Sequence, residues 1–167
     1  MADLDRTALE AGPARVTFDG DSMGYLGDPL MLQIDTAVVP LHGSEAGTVA
    51  LDHIVSGGGI MLEVPLAEIS VTKIAQGIIN STLTGGLLTF KNNVGLSVRS
   101  LAKELRVTKI KSGVPSTDPN DIFIFPEAAP GPSTVKIPFH PSQQRLIVVQ
   151  FMVYPNADTN VWGTIGA

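Results

Sequence analysis

Glycine and proline interrupt this chain at short intervals from one end to the other. The seventeen glycines and twelve prolines are spread through the sequence rather than gathered in one linker. Between them lie runs in which apolar and polar residues alternate, and a period of two is the signature of β-strands with one buried face. In "ARVTFD" (14–19), Val16 and Phe18 alternate with Arg15 and Thr17. The long extended stretch "PLMLQIDTAVVPLH" (29–42) sets Leu30, Leu32 and Ile34 on one side, with Gln33 and Asp35 among the residues opposite. "GIMLEVPLA" (59–67) repeats the pattern with Ile60, Leu62, Val64 and Leu66. A strand at "IFIF" is expected between two loops, "SGVPSTDPND" and "PEAAPGPS". "RLIVVQFMVYP" (145–155) is apolar on both faces and reads as a strand covered on both sides.

A helical period appears over 67–78, where Ala67, Val71, Ile74, Ala75 and Ile78 form one apolar stripe. Glu68 lies early in that segment and Lys73 later, which suits the helix dipole, and Gly77 is expected to end it. "SVRSLAKELRVTKI" (97–110) reads as a short turn or helix leading into a strand from about Glu104. Residues 43–59, "GSEAGTVALDHIVSGGG", form a glycine-bounded excursion between two strands. It is expected to fold back as a flexible arm, with one helical turn carrying Val49, Leu51, Ile54 and Val55 and a hinge at Gly57–Gly58–Gly59. The sum is a mainly β chain, sandwich-like or barrel-like, with one flanking α-helix. A single domain over 13–167 would follow a flexible N-terminal arm, residues 1–12.

Composition narrows the function classes. A length of 167 residues suits one domain. Hydrophobic residues reach 44% against 16% charged, so part of the apolar surface is expected to meet other subunits. The net charge of −5 and pI near 5.0 argue against a basic face that grips nucleic acid. With no cysteine, disulfides and thiolate metal sites are excluded. "MADLDRTALEAGPARV" has no apolar h-region, so no secretory signal is expected, and the Asn80-Ser81-Thr82 glycosylation pattern carries no weight. The run Ile74 to Phe90 is broken by polar residues and glycines, and no membrane insertion is expected.

Gly20-Asp21-Ser22-Met23-Gly24 fits the G-x-S-x-G pattern of a nucleophilic serine. Such a serine needs a helix packed directly behind it, and "MGYLGDP" forbids one. Asp118 or Asp121 with His140 could complete a hydrolase order, but a glycine-rich turn explains the segment without them. His42, His53 and His140 lack metal-ligand spacing, and Gly57–Gly59 lacks the Lys-Ser/Thr of a phosphate loop. Asp35 and Glu63 each stand alone on a strand. No enzyme, cofactor or metal is expected.

Taken in order, the landmarks form a pattern. They are Gly12-Pro13, Gly20, Leu26-Gly27, Gly47-Thr48-Val49 with Asp52, Ile54 and Gly57, "VPLAEIS" (64–70), "LAKELRV", "FPEAAP", "VVQFMVYPNAD" and the terminal "VWGTIGA". Over residues 12–167 the chain resembles the tail tube (major tail) proteins of long-tailed bacteriophages. The resemblance implies a β-sandwich-like subunit with a flanking helix. Subunits would join inner sheets into a hexameric ring, and rings would stack into a tube that conducts DNA into the host. It implies a virion location after assembly in the host cytoplasm. Partners would be further copies of the chain, tape-measure, tail-terminator and distal-tail proteins, and double-stranded DNA in non-specific passage. Asp35, Glu63 and Glu68 would contribute to an acidic lumen. Leu41, His42, Glu45, Val49, Leu51, Asp52 and Ile54 would contact the adjacent ring. Inner tubes of contractile tails, gene-transfer particles and injection devices share this fold and form an alternative. From other classes, the competing readings are a small serine hydrolase using Ser22 and a generic ligand-binding β-sandwich.

Overall fold

The computed structural model describes residues 13–42, 50–68, 70–131, 135–137 and 146–166. The chain begins with β1 (Ala14–Phe18) and β2 (Asp21–Ser22), then the long strands β3 (Met31–His42) and β4 (Ala50–Leu66). The helix α1 (Val71–Gly77) follows, and then the small hairpin β5 (Ser81–Thr84) and β6 (Leu87–Phe90). A 3-10 turn at Val98–Leu101 leads into β7 (Lys103–Lys111) and β8 (Val114–Pro115), and a second at Pro119–Asp121 leads into β9 (Ile122–Pro130). The last strands are β10 (Ile147–Val153) and β11 (Thr164–Ile165). The fold is therefore mainly β with one α-helix among the described residues, as the alternation suggested.

The principal sheet is antiparallel in the order β2-β1-β7-β9-β10-β4-β3, and it rolls back on itself. The chain between β2 and β3 bridges the two ends. At one end the Met23 amide donates to the Val16 carbonyl of β1 at 2.9 Å. At the other, the Gly27 amide donates to Pro65 of β4 at 3.0 Å, and Leu26 bridges to Leu66. One continuous run thus pairs with β1 and then with β4, which closes the sheet around a single interior. The aromatic core confirms the curl. Phe18 and Phe151 lie on strands separated by β7 and β9, yet their rings approach to 5.0 Å at a tilt of 44°. The alternating residues of 14–18, 62–66, 105–107 and 147–153 fill the space around them, with Met23 plugged in from the bridging run.

The Asp-Gly turn reached from Phe18 sets the first hairpin. Asp19 and Gly20 have φ of 53° and 83°, both left-handed, and Phe18 pairs with Asp21 across them. That is the type I′ geometry, whose twist matches the flanking strands. The helix is shorter than the stripe 67–78 predicts. Ser70 caps it, its Oγ accepting from the Lys73 amide at 3.3 Å, so Ala67 and Glu68 precede the first turn. Ile74 packs on the core, and Gly77 lies so close that a Cβ there would sit 2.6 Å from Val149 Cγ2. This close approach, rather than helix ending alone, is what requires glycine at 77.

Other expectations change. Residues 50–58 form no helical turn, and Gly57–Gly59 is no hinge: both belong to β4. "PEAAP" continues β9 instead of opening a loop, because Ala128–Pro130 pair with Phe151–Val153. The final apolar run is a strand only over Ile147–Val153, with alternate residues buried. The strand from about Glu104 starts one residue earlier, at Lys103. Residues 1–12 lie outside the described residues.

Beside the barrel, Asp121 is a nearly covered carboxylate held by cations on alternate positions of β7. Lys111 Nζ lies 2.8 Å and Lys109 Nζ 3.4 Å from its oxygens, and Ser116 Oγ donates at 2.5 Å. The Lys111 contact, then that of Ser116, pulls its pKa from 3.8 down to about 2. The folded pKa is thus below the unfolded one. The stability this group contributes is complete above pH about 4 and is lost as pH falls towards about 2. Asp121→Asn should flatten the pH dependence of the urea midpoint in that window relative to the unaltered chain. Phe151→Ala removes the ring that joins both sides of the barrel and should cost ~3–5 kcal/mol in urea denaturation.

Candidate assembly surface

Strands β3 and β4 are longer than the barrel they belong to. β10 covers β4 only from Ile60 to Leu66. Among the described residues, Asp35–His42 and Ala50–Gly59 pair beyond that point only with each other. They form a two-stranded ribbon that extends roughly 26 Å at ~3.3 Å per residue. Gly58 lies where this ribbon leaves the barrel, and a Cβ there would approach the Asp35 carbonyl oxygen to 2.7 Å. Glycine is needed at that position for the two backbones to stay in register.

Both faces of the ribbon are apolar. Val38 stands opposite Val55 on one face; Val39 opposite Ile54, and Leu41 opposite Asp52, share the other. Val38 and Val39 are 50% exposed, Ile54 53% and Val55 65%. A two-stranded ribbon is marginal in water. One with two greasy faces and two unpaired edges has the properties of a surface completed by a partner. The register slips at Ala37/Val38 and at Leu41/His42, leaving Ser56 and Leu51 without opposite residues.

The acidic candidates divide. Asp35 and Glu63 lie on the outer face of the sheet, together with Met31, Gln33, Met61 and Gln150. Gln33 Nε2 donates to Asp35 Oδ2 at 2.9 Å, and Gln150 Nε2 donates to Glu63 Oε1 at 2.6 Å. Glu68 does not join them; it forms an ion pair with Lys73 of α1 at 2.6 Å. Of the contact candidates, Leu41, His42, Leu51, Asp52 and Ile54 all fall on the ribbon, while Glu45 and Val49 lie outside the described residues.

Ser22 sits just after the type I′ turn, where its Oγ accepts from the Gly24 amide at 3.3 Å. It borders a cavity of about 520 Å³ with Arg15, Tyr25, Glu68 and Lys73. His42 and His53 are on the ribbon, opposite Ala50 and Pro40, and His140 lies outside the described residues. Asp118 caps the second 3-10 turn by accepting from the Asn120 amide, and Asp121 is held by its lysines. Among the described residues no group of three His, Cys, Asp or Glu could hold a metal ion, and no helix is long and apolar enough to cross a membrane.

One signal of this surface is visible in the sequence but is not periodic. Between Arg15 and Lys73 there is no lysine or arginine, whereas eight aspartates and glutamates fall in that interval. The bridging run, β3 and β4 are thus free of positive charge, and cations gather on β7 instead. No protein-family model matches the chain, and no curated protein matches it in sequence.

Because Ile54 is outside the core, Ile54→Ser should leave the urea midpoint of the dilute, dissociated chain within ~0.5 kcal/mol of the original. A larger loss would mean that the ribbon is packed on its own subunit.

Proposed function

We propose that this chain is a structural subunit that polymerises with copies of itself into hexameric rings, stacked as the tail tube of a long-tailed bacteriophage. The observation that carries the reading is the apolar two-stranded ribbon, both of whose edges are unpaired among the described residues. Laid side by side about an axis, such ribbons alternate β3 and β4 from copy to copy, and every neighbouring pair is antiparallel. The ring then has no open edge, which removes the aggregation hazard of a bare strand. Stacking uses a second contact that does not close, and so yields a filament.

The outer face of β3 and β4 supports the same reading. Duplex DNA carries one negative charge per ~1.7 Å of axis. A wall presenting Asp35 and Glu63, each bonded to a glutamine and without a cation beside them, would repel the polymer rather than bind it. The subunit would then be a conduit for DNA, located in the virion, with tape-measure, tail-terminator and distal-tail proteins as partners along the tube.

Negative-stain microscopy of the concentrated protein tests this directly. Rings or tubes with a central channel are expected, and Ile54→Asp should give folded subunits that do not assemble. A chain that stays monomeric at every concentration would overturn the reading.

A further inference from the structure

Five cations of this protein are held by carboxylates. Lys73 is held by Glu68 at 2.6 Å, Arg99 by Glu127 at 2.8 Å, Lys103 by Asp19 at 3.7 Å, and Lys109 and Lys111 by Asp121. Arg15, Lys91, Arg106 and Lys136 have no such partner among the described residues, and Arg15 and Arg106 are set apart by their place on paired strands. Both are exposed, and neither has a hydrogen-bond or ion-pair partner among the described residues. They are also neighbours. Arg15 pairs in register with Thr108, and Arg106 with Thr17, so the two guanidinium groups rise diagonally from the outer face of β1 and β7. Ile124 stands opposite Arg106 on β9, and Ile122 opposite Thr108, both half-buried on that face.

The ribbon has the opposite composition. Asp52 is exposed on β4, opposite Leu41 and two residues from Ile54 on the same face. Its Oδ1 accepts from the His53 amide at 2.7 Å, and its other oxygen has no donor among the described residues. No lysine or arginine lies on β3 or β4 to neutralise it.

We infer that Arg15 and Arg106 are the docking surface for the ribbon of a second copy of this chain, with Asp52 as their counterion. This rests on the self-assembly reading above and adds the receiving surface for stacking. Leu41, Ile54 and Asp52 continue the face that carries Asp35, so they meet that surface where the far end of the ribbon passes beyond the wall of its own ring. Guanidinium groups favour carboxylates because their planar donors match two acceptor oxygens. Leu41 and Ile54 would meet the threonine and isoleucine side chains around the arginines. Donor and acceptor surfaces belong to different strands, so the contact is head-to-tail and leaves one of each surface for the next copy.

The test compares assembly of the full chain and its variants by light scattering and microscopy over a range of salt. Arg106→Glu and Asp52→Lys should each raise the concentration needed for assembly by at least ~tenfold. The combination Asp52→Lys with Arg106→Glu should recover most of the loss. Urea denaturation of dissociated Arg106→Glu should match the original chain, and Arg106→Gln gives a milder second variant should the reversal disturb folding. Because the chain has no cysteine, Asp52→Cys and Arg106→Cys proteins can be mixed and joined by a short bis-maleimide, and a cross-linked pair is expected. If the original chain assembles while Arg106→Glu and Arg106→Gln assemble equally well at all salt concentrations, this inference fails and the tube reading stands. Absence of rescue or of the cross-link also overturns it. If the original chain never associates, both fall.

Discussion

A strand has two edges, and β4 satisfies both along only part of its length. From Ile60 to Leu66 it lies between β10 and β3, and there its side chains alternate into the core. From Ala50 to Gly59 one edge has no neighbour among the described residues, and the side chains are mostly exposed. The same strand is therefore a barrel stave at one end and an open margin at the other. Backbone donors and acceptors lose little when they face water and much when buried unpaired. The ribbon can thus stand free, but its edges can be buried only by something that also completes its ladder. A strand edge from another copy meets that condition.

The barrel end was the more legible of the two. Val16, Phe18, Leu62 and Phe151 alternate with less buried neighbours, as the sequence pattern implies, while Pro65 departs from it by being buried between Val64 and Leu66. Closure was less legible. The run from Met23 to Gly27 has no alternation, yet its amides are what join β1 to β4. Its signal is conformational, in the left-handed Asp19, Gly20 and Gly24, rather than hydrophobic. The ribbon is hard to read from the sequence for a related reason. Leu51, Ile54 and Val55 have helical spacing, and three successive glycines look like a break. Periodicity assumes one buried face, and a ribbon apolar on both faces supplies no such contrast. The second bulge adds to this by leaving Leu51 without an opposite residue.

The candidate site follows the same division. Asp35 and Glu63 share a face because both lie at outward positions of paired strands, which the alternation of each strand already fixed. Glu68 was grouped with them by charge alone. The cap at Ser70 moves it out of the helix and into the reach of Lys73, 2.6 Å away. The arginine pair had no sequence signal at all, because Arg15 and Arg106 are far apart along the chain and meet only through the register of β1 with β7.

An exposed apolar ribbon must meet the intended edge and refuse others. Its irregularities serve that selectivity. The bulges at Ser56 and Leu51 twist the ladder locally, so a flat foreign strand cannot follow it. Pro40 removes one amide from β3. With Asp35, Asp52 and Glu63 and no lysine or arginine on β3 or β4, a second ribbon laid face to face on the first gains no opposite charge, whereas the arginine-bearing sheet face proposed above would supply it. Charge segregation in the sequence and bulges in the strands thus act on one problem. They narrow the ways in which a greasy, open-edged surface can be covered, and the proposed copy-to-copy arrangement is one that satisfies them.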